Sequence, residues 1–455
     1  MRAALMLLLV TLLGTSSTVA GQTYSENLAR CNAEGIDPDL NIAGCTAVIQ
    51  SGQLNDTNLS FAFNSRGIAY DSKKDYDRAI QDYTEAIRLN PSYAYAFNNR
   101  GGAYGDKKEY DRAIQDYDQA IRLNPSYALA FNNRGNAYYY KKDYDRAIQD
   151  YDQVIRLNPS FAEAFYSRGL AYDNKKDFDR AIQDFDQAIR LNPSFADAFN
   201  DRGIAYRNKK DYDRAIQDYD QAIRLHPSYA DAFNNRGGAY YYKKDYDRAI
   251  QDYDQAIRLN PSYAEMFNNR GGAYYYKKDY DRAIQDYDQA IRLNPSDISA
   301  FNFRGYSYFY LDKFAAAQSD FTTALAASPV DAYRVLWLYL STARDGHSAR
   351  AALEANAAQV KLADWPGPVV QTYLGKMTTA QLLTAASDPD AEKDSGQHCE
   401  AYFFLGEQAL IAGRRIEAKR LFQQSIDTGV TSFVEYDAAQ AELKRLQAGP
   451  ATGSH

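Results

Sequence analysis

The chain has 455 residues, of which 52 are Lys or Arg and 59 are Asp or Glu, for a formal net charge of −7. That balance excludes the basic footprint by which proteins recruit nucleic acid or anionic membrane surfaces. Three cysteines and four histidines show no paired metal-ligand spacing, so neither a metal centre nor a cofactor is expected.

Met1-Arg2, an apolar run over 3–13 and small residues ending in Thr18-Val19-Ala20 predict a signal peptide over 1–20, cleaved after Ala20. The run is too short to span a bilayer. No cysteine directly follows the small residues, so no lipid anchor is expected. The expected location is outside the cytoplasm, periplasmic or secreted, where disulfides persist. Residues 21–59 then read as an N-terminal helical cap. A break around Gly35, Asp37 and Pro38 leads into a short helix over 39–50 that carries Cys45. A Cys31–Cys45 bridge would close a loop of about 15 residues, worth roughly 3 kcal/mol in the chain-entropy account; two separate buried thiols are the alternative.

From residue 60 to residue 331 a 34-residue unit recurs eight times, punctuated by Pro91, Pro125, Pro159, Pro193, Pro227, Pro261, Pro295 and Pro329. In the unit beginning at Ala94, Phe97, Gly101 and Tyr104 lie along one stripe of a first helix. Tyr110, Ala113, Ile114, Tyr117, Ala120 and Ile121 do the same on a second. Gly101, Ala113 and Ala120 are small where the two helices approach. Asp75, Asp143, Asp177, Asp211, Asp245 and Asp279 stand where a side-chain oxygen can cap the second helix, whereas Glu109 caps less well. Asn124-Pro125 ends the unit, because proline cannot donate the next helical bond. Arg100 is expected to pair with Asp116, and its copies likewise.

This pattern resembles the tetratricopeptide repeat family, with Phe63, Gly67, Tyr70, Ala79, Tyr83, Ala86 and Pro91 in the first unit and Phe301, Gly305, Tyr308, Ala317, Phe321, Ala324 and Pro329 in the last. Val154 in place of an alanine is a small departure. The resemblance implies an all-α fold, a right-handed superhelical α-solenoid of helix-turn-helix repeats with helical caps, whose first helices line an inner groove.

Past the repeats, 332–398 reads as a non-repeat helical segment: a helix pair over 332–346 and 347–362, a break at Trp365-Pro366-Gly367-Pro368, short helices over 369–374 and 378–386, and a polar loop over 387–397. Residues 399–432 form a degenerate repeat, with Tyr402, Leu405, Gly406, Ala418 and Phe422 at the right offsets, opened by a helix starting at Cys399. Residues 433–455 supply a capping helix and tail. This last part is similar to the end of the NlpI-like bacterial envelope adaptor lipoproteins. That likeness implies a scaffold that gathers cell-wall hydrolases or a protease.

Comparing the eight units separates a fixed framework from a variable first-helix face at positions 2, 5, 6, 9, 12 and 13 of the repeat. The candidate peptide-binding residues there are Asn98, Asn99, Asn132, Asn133, Asn200, Asn234, Asn235, Asn268 and Asn269, with Tyr139, Tyr140, Tyr241, Tyr242, Tyr275 and Tyr276. Asparagine inside a helix costs about 0.6 kcal/mol relative to alanine, and its amide both donates to and accepts from an extended backbone. Packing against neighbouring repeats is the competing role. No unit carries the Lys or Arg that a carboxylate clamp needs at its second and sixth positions. Lys73-Lys74 and its copies fall at the inter-helix turn, as a solvated edge. No catalytic motif is present, and the acidic residues recur at fixed surface offsets. The expected function is that of an exported, non-enzymatic scaffold holding extended segments of envelope proteins. A glycan or peptidoglycan binder is the alternative, with a hydrolase built on 332–397 as a third.

Overall fold

The structure, a computed structural model, describes residues 19–33 and 35–448; the predicted signal run ahead of Val19 lies outside them. The described residues form 25 α-helices and no strand, in two compact units, Met1–Gln221 and Ala222–His455.

In the first unit α1 (Val19–Asn32) and α2 (Pro38–Gln50) precede the repeat pairs α3 (Asp56–Ser72) and α4 (Tyr76–Leu89), α5 (Ala94–Asp106) and α6 (Tyr110–Leu123), α7 (Ala128–Tyr140) and α8 (Tyr144–Leu157), α9 (Ala162–Asn174) and α10 (Phe178–Leu191), and α11 (Ala196–Asn208). The next helix, α12 (Tyr212–Leu225), runs across the division between the units. Asp37 caps α2 through bonds from the Asp39 and Leu40 amides. The Cys31 and Cys45 sulfurs meet within bonding distance, joining α1 to α2 with Cα atoms 4.5 Å apart.

The hairpin geometry follows from one close approach. A Cβ at Gly101 would lie 2.7 Å from the Tyr117 ring, and one at Gly135 2.8 Å from that of Tyr151, so only glycine lets the second-helix aromatic lie flat on the first helix. Asp75, Asp143, Asp177, Asp245 and Asp279 accept the backbone amide three residues on, capping their helices, while Glu109 makes no side-chain cap bond. In the inter-helix turn the second lysine takes the left-handed conformation, with φ of 61° at Lys108 and 62° at Lys142. The first lysine reaches back to the preceding repeat, Lys107 to Asp77 and Lys141 to Asp111. At the other end of the unit Asn124 Oδ1 accepts from the Ser126 amide at 3.1 Å and its hydroxyl at 2.8 Å, so the residue before proline closes the turn.

Each framework arginine bridges two repeats. Arg134 donates from Nε and Nη2 to both oxygens of Asp150, at 2.9 and 2.6 Å, and from Nη1 to Asp118 of the previous repeat at 2.5 Å. Its guanidinium also lies 5.5 Å from the Phe131 ring centre. Burial pushes the Asp150 carboxyl up while Arg134 pulls it down. Arg168 and Arg202 repeat the arrangement with Asp184 and Asp152 and with Asp218 and Asp186, whereas Arg66 and Arg100 pair with Asp82 and Asp116 and donate from Nη1 to the hydroxyls of Thr46 on α2 and Thr84.

The second unit carries three further repeat pairs: α13 (Ala230–Tyr242) with α14 (Tyr246–Leu259), α15 (Ala264–Tyr276) with α16 (Tyr280–Leu293), and α17 (Ile298–Tyr310) with α18 (Phe314–Ala327). Then come α19 (Ala332–Arg344), α20 (Arg350–Ala357), α21 (Gly367–Tyr373), α22 (Thr379–Ala385), α23 (Ala391–Ile411), α24 (Arg415–Asp427) and α25 (Val434–Ala448). Two boundaries differ from expectation, and the first is α20, which covers only Arg350–Ala357 of the helix expected over 347–362. The helix expected to open at Cys399 begins at Ala391, because Asp390 caps it through bonds from the Glu392 and Lys393 amides, so most of the expected polar loop is helical. Cys399 is consequently buried in mid-helix, its Sγ 3.4 Å from Ser425 Oγ. The degenerate repeat is genuine in its packing: a Cβ on Gly406 would lie 2.6 Å from the Phe422 ring, as in the regular units. Gly429, at φ 72°, stands past α24, and Val430 takes the place that proline holds in the other units.

Candidate functional site

Within the first unit successive first helices touch one another, α3 with α5, α5 with α7, α7 with α9 and α9 with α11, whereas α4, α6, α8 and α10 make no comparable contact among themselves. The stack therefore curves with its first helices on the inner side, and the variable positions lie along that side.

Two ladders of side chains cross it. In the first, position 6 of one repeat bonds position 5 of the preceding repeat. Asn99 Nδ2 donates to Asn64 Oδ1 at 3.1 Å, and Asn133 Nδ2 donates to Asn98 Oδ1 at 3.0 Å. Tyr166 takes the place of an asparagine, and its hydroxyl donates to Asp201 at 2.7 Å. Asn269 and Asn234 form the same rung in the second unit, at 3.0 Å. The ladder stops where the following position 6 is Ser167 or Phe303, and there the carboxamide oxygens of Asn132 and Asn268 are buried without a partner. In the second ladder position 12 meets position 13 of the following repeat: Asn174 donates to the Tyr139 hydroxyl at 2.9 Å, and the Tyr275 and Tyr310 hydroxyls lie 3.0 Å apart.

Three of the expected contact residues are corrected by this arrangement. Asn98 and Asn200 are each 4% exposed and Tyr275 is 1% exposed, sealed by the neighbouring rungs, so none of the three presents a surface to a partner. Asn99, Asn132, Asn133, Asn234, Asn235, Asn268, Asn269, Tyr139, Tyr241 and Tyr276 are half-buried, and Tyr140 and Tyr242 are exposed. Tyr140 stacks one face on Tyr110, with ring centres 5.7 Å apart.

The sequence reading took the variation as recognition and missed its pairing. The signal was present: the one tyrosine at position 5, Tyr166, is followed 35 residues later by the one aspartate at position 6, Asp201. It counted position 2 in the variable face without singling out the aromatic row there, where Phe61 packs edge-on to Tyr93 at 5.0 Å and Tyr95 lies 5.0 Å from Tyr127. Phe61, Tyr95 and Leu129 at position 2 are all exposed.

In the second unit the chain itself occupies part of the corresponding surface, at the C-terminal ends of α15 and α17. The Tyr310 hydroxyl donates to the Val434 carbonyl at 2.8 Å, Arg445 donates to the Phe309 carbonyl at 3.4 Å, and Lys278 pairs with Asp437 at 3.0 Å and donates to Gln440 at 2.7 Å. Thus α25 packs on α23 and α24 and also lies against positions 12 and 13 of the last regular repeat.

Sequence profiles described as tetratricopeptide repeat match residues 60–93 and, in overlapping windows, 132–194, 174–230, 200–253 and 234–298, and a TPR repeat profile matches 101–141. The chain is a tetratricopeptide repeat protein. Over 122 residues it is 35% identical to the lipoprotein NlpI homolog of Haemophilus influenzae, a match spanning 26% of this chain and 38% of that relative. Among solved structures it is similar to YrrB, described as a TPR protein with an unusual peptide-binding site, at 28% identity over 39% of this chain and 92% of the other, with a TM-score of 0.35. It is also similar to MamA, at 26% identity over 38% and 94% with a TM-score of 0.35, and to a tetratricopeptide repeat protein from Parabacteroides merdae, at 20% identity over 55% and 98% with a TM-score of 0.45. The repeat is a protein-interaction module, and a scaffold role follows at that level. Among the described residues no helix is long and apolar enough to cross a membrane.

Proposed function

We propose that this tetratricopeptide repeat protein is an exported, non-enzymatic adaptor that holds extended segments of envelope proteins along its first-helix face. The observation that carries the reading is the exposure of large apolar side chains on an otherwise framework-locked inner surface: Phe61 at 39%, Tyr95 at 55% and Leu129 at 40%. Aligned exposed aromatic groups of this kind offer contact area at low entropic cost, and the ladders hold the surrounding amides in place before a partner arrives. The signal-like start of the chain and its similarity to a protein named a lipoprotein support export, with oxidising surroundings to match the Cys31–Cys45 pair. The N-terminal cap, the eight repeats over 60–331, the segment over 332–398, the degenerate repeat and the capping helix are the domains of this reading.

The test is peptide display against the full mature chain. Enriched peptides that compete with one another, and lose binding to a Tyr95→Ser, Leu129→Ser variant of unchanged helicity, are the expected result. Failure of any peptide to enrich above an unrelated protein overturns the reading.

A further inference from the structure

The apolar row is not continuous along the first unit. At position 2 it runs Phe61, Tyr95, Leu129 and then becomes Glu163 and Asp197, both exposed. At the opposite ends of the same helices Asp71, Asp106 and Asp173 occupy positions 12 and 13, and Asp201 stands at position 6. Against these six carboxylates the same variable positions of the unit carry one cation, Arg207.

Asp201 is held by the Tyr166 hydroxyl and the Asn200 amide, but folding alone does not account for the other carboxylates. Glu163 and Asp197 lie in first helical turns, where a negative charge suits the dipole. Asp71, Asp106 and Asp173 lie in the last turns of α3, α5 and α9, where it does not. One oxygen each of Asp71 and Asp173 is buried without a hydrogen-bond partner. Burial and the nearby Asp106 raise the Asp71 carboxyl to about 6, and burial raises that of Asp201 to about 6. The inner face therefore carries like charges at a cost at one end of the first helices, with an exposed apolar row at the other. Elsewhere in the repeat carboxylates are matched: Asp77 by Lys107, Asp111 by Lys141, Asp145 by Lys175.

We propose, on the peptide-holding reading above, that the first unit selects a cationic-apolar segment: an extended stretch of protein whose large apolar side chains pack on Phe61, Tyr95 and Leu129 and whose Lys or Arg side chains neutralise the carboxylates of the inner face. With adjacent helices roughly 8–10 Å apart, five first helices span about 40 Å, the length of about 12 extended residues at roughly 3.3 Å each. Such a ligand supplies the missing positive charge and covers the exposed rings together, and an acidic segment of equal apolar content meets uncompensated repulsion.

Four synthetic peptides of that length test the selection by fluorescence anisotropy with the full mature chain. Three alternate Phe or Leu with Lys, with Ser or with Glu; the fourth alternates Ser with Lys. The Lys-apolar peptide binds about tenfold or more tightly than the Ser-apolar one, and loses that margin at high salt. The exchange Glu163→Lys, Asp197→Lys, on exposed side chains and checked by circular dichroism, reverses the preference toward the Glu-apolar peptide. Equal binding of all three apolar peptides, or an unchanged Lys preference in the exchanged chain, overturns the inference while the peptide-holding reading stands on its own display result. Equal binding of the Ser-Lys peptide overturns it too, by reducing the interaction to charge alone.

Discussion

Asn133 on α7 donates its side-chain amide to the carboxamide oxygen of Asn98 on α5, 3.0 Å away and 35 positions earlier in the chain. The bond ties neighbouring repeats at the centre of the inner face, so the asparagines there act first as inter-repeat fasteners. A double-mutant cycle with Asn98→Ala and Asn133→Ala, followed by urea unfolding, returns a coupling of about 0.5–1.5 kcal/mol. Additive single effects would show that the pair does not join the repeats.

Two substitutions in one repeat act in opposite directions. Gly135→Ala forces a methyl group against the Tyr151 ring, which is buried, and costs about 1–3 kcal/mol. Lys142→Gly relieves a left-handed lysine at φ 62° and gains up to about 1 kcal/mol, since Lys142 makes no bond that glycine would forfeit. Thermal melting of the two variants ranks them on either side of the wild type.

Loss of the Cys31–Cys45 link removes the closure of the cap. Cys31→Ser, Cys45→Ser lowers the stability of the N-terminal cap by about 3 kcal/mol, read as faster hydrogen exchange in α1 and α2 with little change beyond α5. Absence of alkylation at Cys31 and Cys45 in the unreduced protein, read by mass, is the expected companion result.

The C-terminal helices carry a pH dependence of their own. Glu435 on α25 is 2% exposed and faces Glu400, Tyr306, Tyr333 and Trp337. Burial and the Glu400 charge raise its carboxyl to about 8, and burial raises Glu400 to about 7. Burial also raises Glu407 to about 7 despite the Arg344 guanidinium at 2.8 Å. A carboxyl held above its unfolded value of 4.5 binds its proton more tightly in the folded state, so its contribution is fully present below about 4.5 and is lost as pH rises toward 8. The Tm of this region falls from pH 5.5 to pH 8.5, and Glu435→Gln, which keeps the neutral shape, flattens the fall. A Tm that rises over that interval would contradict the assignment.

The repeat was legible because each framework residue has a local job: Gly101 under the Tyr117 ring, Asp143 at its helix start and Asn124 in its turn can be read from one unit alone. The Arg100–Asp116 pair was equally accessible, since both residues fall within one helix hairpin. The function of Asn98 was not, because its partner lies in the next unit and its burial depends on which residue stands there. The seat of α25 against Tyr310 was also out of reach, as it joins residues 124 positions apart without a repeating pattern. The start of α23 was hidden by the polar composition of its first turns; the Asp390 cap outweighs that composition.

The central claim is that partners dock on the first-helix face of the stack. A photo-crosslinking residue placed at position 95, in the exposed aromatic row, and separately at the exposed Gln115 on the second helix of the same repeat compares the two faces in the native cell. The account predicts protein adducts at position 95 and few at position 115. Adducts at position 115 equal to or exceeding those at position 95 would contradict it.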